Sequence, residues 1–200
     1  MKPTRVYLEE GQTWTFACAV DWPGWVRRGK GADAALEALQ AYAGRYAEAA
    51  GGRFEPGPFE IVGRLTGDAS TDFGIPRQVG DWDYEPLPLK EASRLTEILG
   101  KCWAVFDRVV ADAPSELRKG PRGGGRDRDP IVRHVRDAER GYAPKLGARI
   151  PKDTGWADAR RILLEALRDP PADAKWPPRY MIRRLAWHVL DHAWEVQDRS

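Results

Sequence analysis

The stretch "RRLAWHVLDHAWEVQDR", Arg183 to Arg199, contains two of the chain's three histidines. His188 and His192 are four residues apart, so a helix would place them on the same side. At about 100° per residue they share that side with Met181 and Leu185, which form an apolar stripe typical of a core-facing helix. The pair is therefore either part of a metal site or two hydrogen-bonded core residues.

The opposite side of this helix is also apolar, because Trp187, Leu190 and Trp194 lie there. A helix that is apolar on two sides needs a packing partner for each of them. We therefore expect the Trp187/Trp194 side to contact either the N-terminal part of the chain or a second subunit, as in a homodimer.

The last 112 residues, 89–200, have helical periodicity. Apolar stripes, together with stops at proline and glycine, predict four helices, at about 89–113, 130–146, 155–168 and from 177 to the C-terminus. Four such helices with short to moderate connections indicate an all-α four-helix bundle.

Residues 1–66 alternate like strands around one helix, which predicts a small α+β module of order β-β-β-α-β. Its predicted strands lie at 5–10, 13–20, within 21–29 and at 59–65, and its helix at 32–51. Residues 67–88 lack a helical period and are interrupted by proline and glycine, so we predict a linker. The aromatic residues Phe73, Trp82 and Tyr84 within it lead us to expect that it packs against one domain or both.

The third histidine, His134, lies in the predicted second helix beside the apolar stripe of Ile131 and Val135. It can therefore reach the bundle interior from a different helix than His188 and His192. Three imidazoles arranged in this way suit Zn²⁺, Ni²⁺ or another borderline divalent ion, with the remaining positions open to water or substrate. Open positions are typical of a catalytic rather than a structural site.

Three carboxylates lie near these histidines in sequence: Asp137, Asp191 and Glu195. Only Glu195 shares the helix side of His188 and His192. It either orients an imidazole, acts as a fourth ligand or general base, or is an exposed carboxylate near the end of the chain.

Arginines open the last helix, and a glycine-rich segment precedes the second. Arg179 and Arg183, with Arg184, are candidate contacts for the carboxylates of a thiol cofactor, or else form a solvated face. The segment "RKGPRGGGRDRDP", 118–130, lacks the pattern of a phosphate-binding loop, and acidic residues interrupt its positive charge. We predict a mobile loop near the site.

Composition narrows the class of protein. A net charge of +2, with both signs interspersed, argues against a nucleic-acid-binding surface. No apolar run approaches the roughly 18 residues that cross a bilayer, and the N-terminus lacks the apolar core of a signal peptide. With two isolated cysteines, Cys18 and Cys102, these features predict a cytoplasmic protein with no membrane association. Abundant Ala, Arg, Gly and Pro fit a high-GC genome, such as that of an actinobacterium.

The helix order and two segments, "IVRHVRDAERGYAPKLG" (131–147) and "RYMIRRLAWHVLDHAWEVQDR" (179–199), resemble the DinB-like (YfiT/DinB) superfamily of metal-binding four-helix bundles. By position, the resemblance implies that His134, His188 and His192 are the metal triad. The family includes metal-dependent thiol S-transferases and a mycothiol-dependent isomerase. It therefore implies a small-molecule substrate and a low-molecular-weight thiol as co-substrate. The glycine-rich loop and the attached N-terminal module depart from the family pattern.

The N-terminal stretch "DWPGWVRRGKGADAALEALQAYAGRYA" (21–47) resembles the HicB antitoxin-like fold. In that family the module binds a partner protein. The resemblance implies an alternative function, a non-catalytic interaction or scaffold protein in which a metal ion only stabilises the helices.

Overall fold

The structure, a computed structural model of the chain, describes residues 2–52, 54–120 and 124–200. It is mixed α+β, because a four-stranded sheet in the N-terminal part is followed by a series of helices. The chain divides into two compact units, Met1–Pro86 and Leu87–Ser200. The α+β class predicted from the sequence is confirmed.

The sheet belongs to the first unit. Its elements follow the predicted order closely: β1 Thr4–Glu10, β2 Thr15–Ala19, β3 Val26–Gly29, α1 Ala32–Ala41, α2 Ala43–Ala50 and β4 Phe59–Thr66. The strands are arranged β3-β2-β1-β4, with β1 antiparallel to β2 and parallel to β4. The parallel pairing is reached through α1 and α2, as a parallel connection requires a crossover.

Aromatic residues attach the helices to the sheet. Trp25 Nε1 donates a hydrogen bond to the carbonyl of Leu39, and the Tyr46 hydroxyl donates one to the carbonyl of Pro23, at 2.9 and 2.8 Å. The Trp25 and Tyr46 rings stack with 5.7 Å between their centroids. The polar atoms of both rings therefore have partners although the rings are fully buried.

The helix predicted at 32–51 is interrupted at Tyr42, between α1 and α2. The Tyr42 amide divides its hydrogen bond between the carbonyls of Ala38 and Leu39, at 3.3 and 3.2 Å. Such a three-centre bond tightens the backbone locally. The apolar periodicity continues across this point, so the sequence pattern did not reveal the break.

The segment predicted as a linker, 67–88, folds with the first unit as far as Pro86. It contains the short helix α3, Ala69–Phe73, and a 3-10 turn at Asp81–Asp83. The fully buried carboxylate of Glu9 accepts hydrogen bonds from the Thr71 hydroxyl, at 2.6 Å, and from two backbone amides of this segment. Trp82 stacks on Tyr7 at 4.7 Å. Polar contacts of this kind leave no periodic signal in a sequence.

The second unit contains four longer helices: α4 Leu89–Asp112, α5 Arg128–Tyr142, α6 Trp156–Arg168 and α7 Pro178–Arg199. A 3-10 turn, Ala143–Lys145, follows α5, where the sequence predicted that the helix would continue to 146. Helix α7 packs against α4 and α5, and α6 packs against α4. Among the described residues, no helix has the length and apolar content needed to cross a bilayer.

Helix α7 is buried along most of its length, including the side predicted to bind a partner. Trp187 and Trp194 are only 6% and 3% exposed in the single chain. The rings are therefore buried within the chain itself, and the homodimer expected through a Trp187/Trp194 face stays a prediction. An apolar second side signals burial, but the sequence does not show whether the chain itself supplies the cover.

Candidate metal centre

Two helices bring the three histidines together. His134 projects from α5, and His188 and His192 project from α7. The Nε2 atoms of His134 and His188 are 3.1 Å apart, and one ring nitrogen from each histidine lies within 4.8 Å of the others. The three imidazoles are thus close enough to hold one metal ion, as the helical phase predicted.

The separation between the Nε2 atoms of His134 and His188 fits a divalent ion. Zinc–imidazole bonds are about 2.0–2.1 Å long, so two ligating nitrogens lie about 3.3 Å apart at a tetrahedral angle and about 2.9 Å apart at a right angle. The 3.1 Å between His134 and His188 falls between these values. A simple N–H···N hydrogen bond has the same length, but it would join only two rings. The third nitrogen, that of His192, is what distinguishes the cluster from a hydrogen-bonded core pair.

The protein environment favours neutral imidazoles at His134 and His188. Burial lowers the pKa of His188 well below its usual value, and the charges of His192 and Arg184 lower it further. Burial also lowers the pKa of His134, again with help from His192. A neutral imidazole has the free lone pair that metal coordination requires.

Glu195 orients one of the histidines. Its Oε2 lies 2.9 Å from Nδ1 of His192, and its Oε1 accepts a 2.6 Å hydrogen bond from Arg199. Burial raises the pKa of Glu195, but the hydrogen bonds from His192 and Arg199 outweigh it, and the net direction is down. With Nδ1 of His192 held by a carboxylate, Nε2 is left to ligate, as in carboxylate–histidine–metal arrangements. Among the roles that the sequence left open for Glu195, the structure contains the contact that orients an imidazole.

The other two candidate carboxylates are less closely engaged. Asp137 is exposed on α5. Burial lowers the pKa of His134, and the charge of Asp137 opposes that effect. Asp191 is half-buried on α7, on a different side of the helix from His188 and His192.

Arg179 and Arg183, the predicted anion contacts, are directed at protein groups. A guanidinium nitrogen of Arg179 lies 3.7 Å from a carboxylate oxygen of Glu91. Arg183 is only 6% exposed, and its guanidinium lies 5.7 Å from the centre of the Tyr180 ring. Neither contact involves a site histidine.

The arginine beside the histidines is instead Arg184. Its Nη2 donates a 3.2 Å hydrogen bond to the Tyr142 hydroxyl, and its guanidinium lies 4.7 Å from the centre of the Trp187 ring. Sequence spacing could have identified Arg184 as a neighbour of the site, because it precedes His188 by one helical turn. Tyr142 gave no comparable signal, since it comes from another helix.

Part of the glycine-rich loop also acts on the site. The positive charge of Arg126 contributes to the lowered pKa values of His134 and His188, after the larger effects of burial and of His192. Residues 121–123 of the predicted mobile loop lie outside the described residues.

Comparisons of the whole chain with models of protein families, with curated proteins and with solved structures find no match in any of the three.

Proposed function

We propose that residues 89–200 form a DinB-like four-helix bundle that binds a divalent ion, Zn²⁺ or Ni²⁺, at His134, His188 and His192. We further propose that the protein is a metal-dependent transferase or isomerase, which acts on small molecules with a low-molecular-weight thiol as co-substrate. The observation that carries the proposal is the convergence of three ring nitrogens from two helices within 4.8 Å. The packing of α7 against α4 and α5 supports the bundle.

A bound divalent ion supplies Lewis acidity, which lowers the pKa of a thiol or of water. The chain's own residues prepare the site for it. Burial keeps His134 and His188 neutral, and Glu195 fixes the ring of His192. Three protein ligands with further coordination positions open are typical of catalytic rather than structural metal sites.

The cysteines do not serve this chemistry. Cys18 and Cys102 are both buried, and burial raises the pKa of the Cys102 thiol far above its ordinary value. A thiol that stays protonated is a poor nucleophile. The nucleophile of the proposed reaction therefore comes from a co-substrate rather than from a cysteine of the protein.

Metal content tests the proposal directly. The protein is purified without a histidine tag, loaded with Zn²⁺ or Ni²⁺, dialysed and measured by elemental mass spectrometry. We expect about one ion per chain in the wild type and almost none in the His188→Ala/His192→Ala double variant. Glu165→Gln, which removes an exposed carboxylate on α6, is the matched control and should retain the metal. Equal metal content in the wild type and the double variant would show that the histidines are not ligands.

The alternative is a non-catalytic interaction protein with a HicB-like partner-binding module. It is favoured by two large aromatic side chains exposed in the first unit, Phe73 at 82% and Tyr84 at 71%. Assays of metal-loaded protein with several thiols and electrophiles separate the two functions. Conjugation or isomerisation above the level of the double histidine variant supports the enzyme. No turnover with any pair favours the interaction protein.

A further inference from the structure

Arg184 is unusual among its neighbours on α7. Every other residue from Tyr180 to Leu190 is buried, whereas Arg184 is partly exposed. Part of its side chain therefore reaches solvent, although its Nε atom is buried. The helix therefore presents one cation at the accessible side of an otherwise buried stretch.

Its ring contacts place this cation beside the histidine cluster. The guanidinium lies 4.7 Å from the centre of the Trp187 ring and 5.5 Å from that of Tyr142. Both rings adjoin His188, with centroid separations of 6.0 and 6.1 Å. The same two rings thus contact the arginine and a proposed metal ligand.

Two further aromatic side chains extend this row of rings away from His188. Tyr142 and Trp176 have centroids 5.3 Å apart, and Trp176 and Tyr180 have centroids 5.0 Å apart. Trp176 is partly exposed. An organic molecule bound at the histidine cluster would lie beside apolar ring surfaces and near the guanidinium of Arg184. This combination is typical of small-molecule sites.

Charge also favours an anion here. A divalent ion would bring two positive charges to the cluster, and the guanidinium of Arg184 lies beside the two rings that adjoin His188. The carboxylate of Glu195, which contacts His192, is also paired with Arg199. A positive excess in a partly buried site attracts and orients anions.

We propose that Arg184 binds the carboxylate of a small mercaptocarboxylate whose thiol reaches the metal held by His134, His188 and His192. The planar guanidinium matches a carboxylate in a two-pronged hydrogen-bonded contact. This inference rests on the proposed metal-binding function and specifies its substrate class: thiols that carry an acid group are preferred over uncharged thiols.

The test uses the full chain loaded with Co²⁺, whose absorbance changes when a thiol coordinates. The probes are thioglycolate and its uncharged methyl ester. We expect the wild type to bind thioglycolate at least about tenfold more tightly, a difference of about 1.4 kcal/mol. The ester's thiol is the more acidic of the two, so thiol acidity does not explain a preference for the acid. Arg184→Gln should abolish the preference while the Co²⁺ content stays unchanged.

Arg133→Gln is the matched control, because Arg133 is an exposed arginine next to His134 in sequence. It removes the same charge and should retain the preference. Arg184→Lys keeps the charge but loses the planar fork, so an intermediate preference is expected. If Arg184→Gln fails to fold, the lysine variant still decides, because a preference equal to that of the wild type would overturn the proposal.

Each contrary outcome leads to a different conclusion. Co²⁺-loaded wild type that binds both probes equally overturns the carboxylate proposal and leaves the metal centre standing. A preference that persists in Arg184→Gln also overturns it, because another group then holds the carboxylate. Wild type that does not take up Co²⁺ overturns the proposed function, and this inference with it.

Discussion

Glu139 is a buried acid whose protonation should make stability depend on pH. It is 2% exposed on α5, and burial raises its pKa from 4.5 to about 7, although the charge of Arg160 pulls it down. Nε of Arg160 is 3.5 Å from Oε2 of Glu139, and the same guanidinium lies 4.2 Å from the centre of the Trp156 ring. The perturbation we consider is Glu139→Gln, which resembles the protonated acid in shape and charge.

The magnitude follows from proton linkage. Between pH 4.5 and about pH 7 the unfolded chain has released this proton while the folded chain retains it. Rising pH therefore favours the unfolded state over this range. At about 1.4 kcal/mol for each pH unit, the free energy of unfolding falls by about 3 kcal/mol in total. Glutamine has no proton to lose, so the variant avoids this loss.

Urea unfolding followed by circular dichroism, at several pH values from below 4.5 to above 7, measures the effect. We expect Glu139→Gln and wild type to be about equally stable at the acidic end. Above about pH 7 the variant should be more stable by up to about 3 kcal/mol. Taking the difference between the two proteins removes the contributions of all other titrating groups.

Glu165→Gln is the control, because Glu165 is an exposed glutamate whose carboxylate pairs with Arg161. It should show no comparable trend with pH. A constant difference between Glu139→Gln and wild type across the whole range would contradict this prediction, since Glu139 would then titrate alike in both states. If Glu139→Gln instead becomes less stable than wild type as pH rises, folding lowers the pKa of Glu139. Ion pairing with Arg160 would then outweigh burial.

Three further predictions concern the site, strand β3 and helix α4. Glu195→Gln should weaken Zn²⁺ affinity about 10- to 100-fold without preventing occupancy at saturating metal, as measured by competition with a chelator; unchanged affinity would mean that the contact with His192 is incidental. Gly29→Ala should cost about 1–3 kcal/mol of stability, because a Cβ there would collide with the backbone of Ala34. Gly100→Ala, where a Cβ meets nothing within 4 Å, should instead stabilise α4 by about 1 kcal/mol in the same unfolding assay.

Apolar periodicity in the sequence predicted most of the secondary structure. The apolar stripes of α4, α6 and α7 placed those helices within one or two residues of their observed ends, because prolines and glycines mark the boundaries. The segment 67–86 was harder to predict. Its attachment depends on the buried carboxylate of Glu9, which accepts hydrogen bonds from distant parts of the chain, and such long-range polar contacts have no local pattern.

Sequence alone predicts the two-part α+β character and the side of α7 on which His188 and His192 lie, because both depend on local spacing along the backbone. Tertiary structure decided the rest. Packing of α5 against α7 set the 3.1 Å between His134 and His188 and brought Tyr142 to Arg184. The folded chain also buries Trp187 and Trp194. These relations join residues on different helices or depend on what covers a helix, and helical phase alone specifies neither.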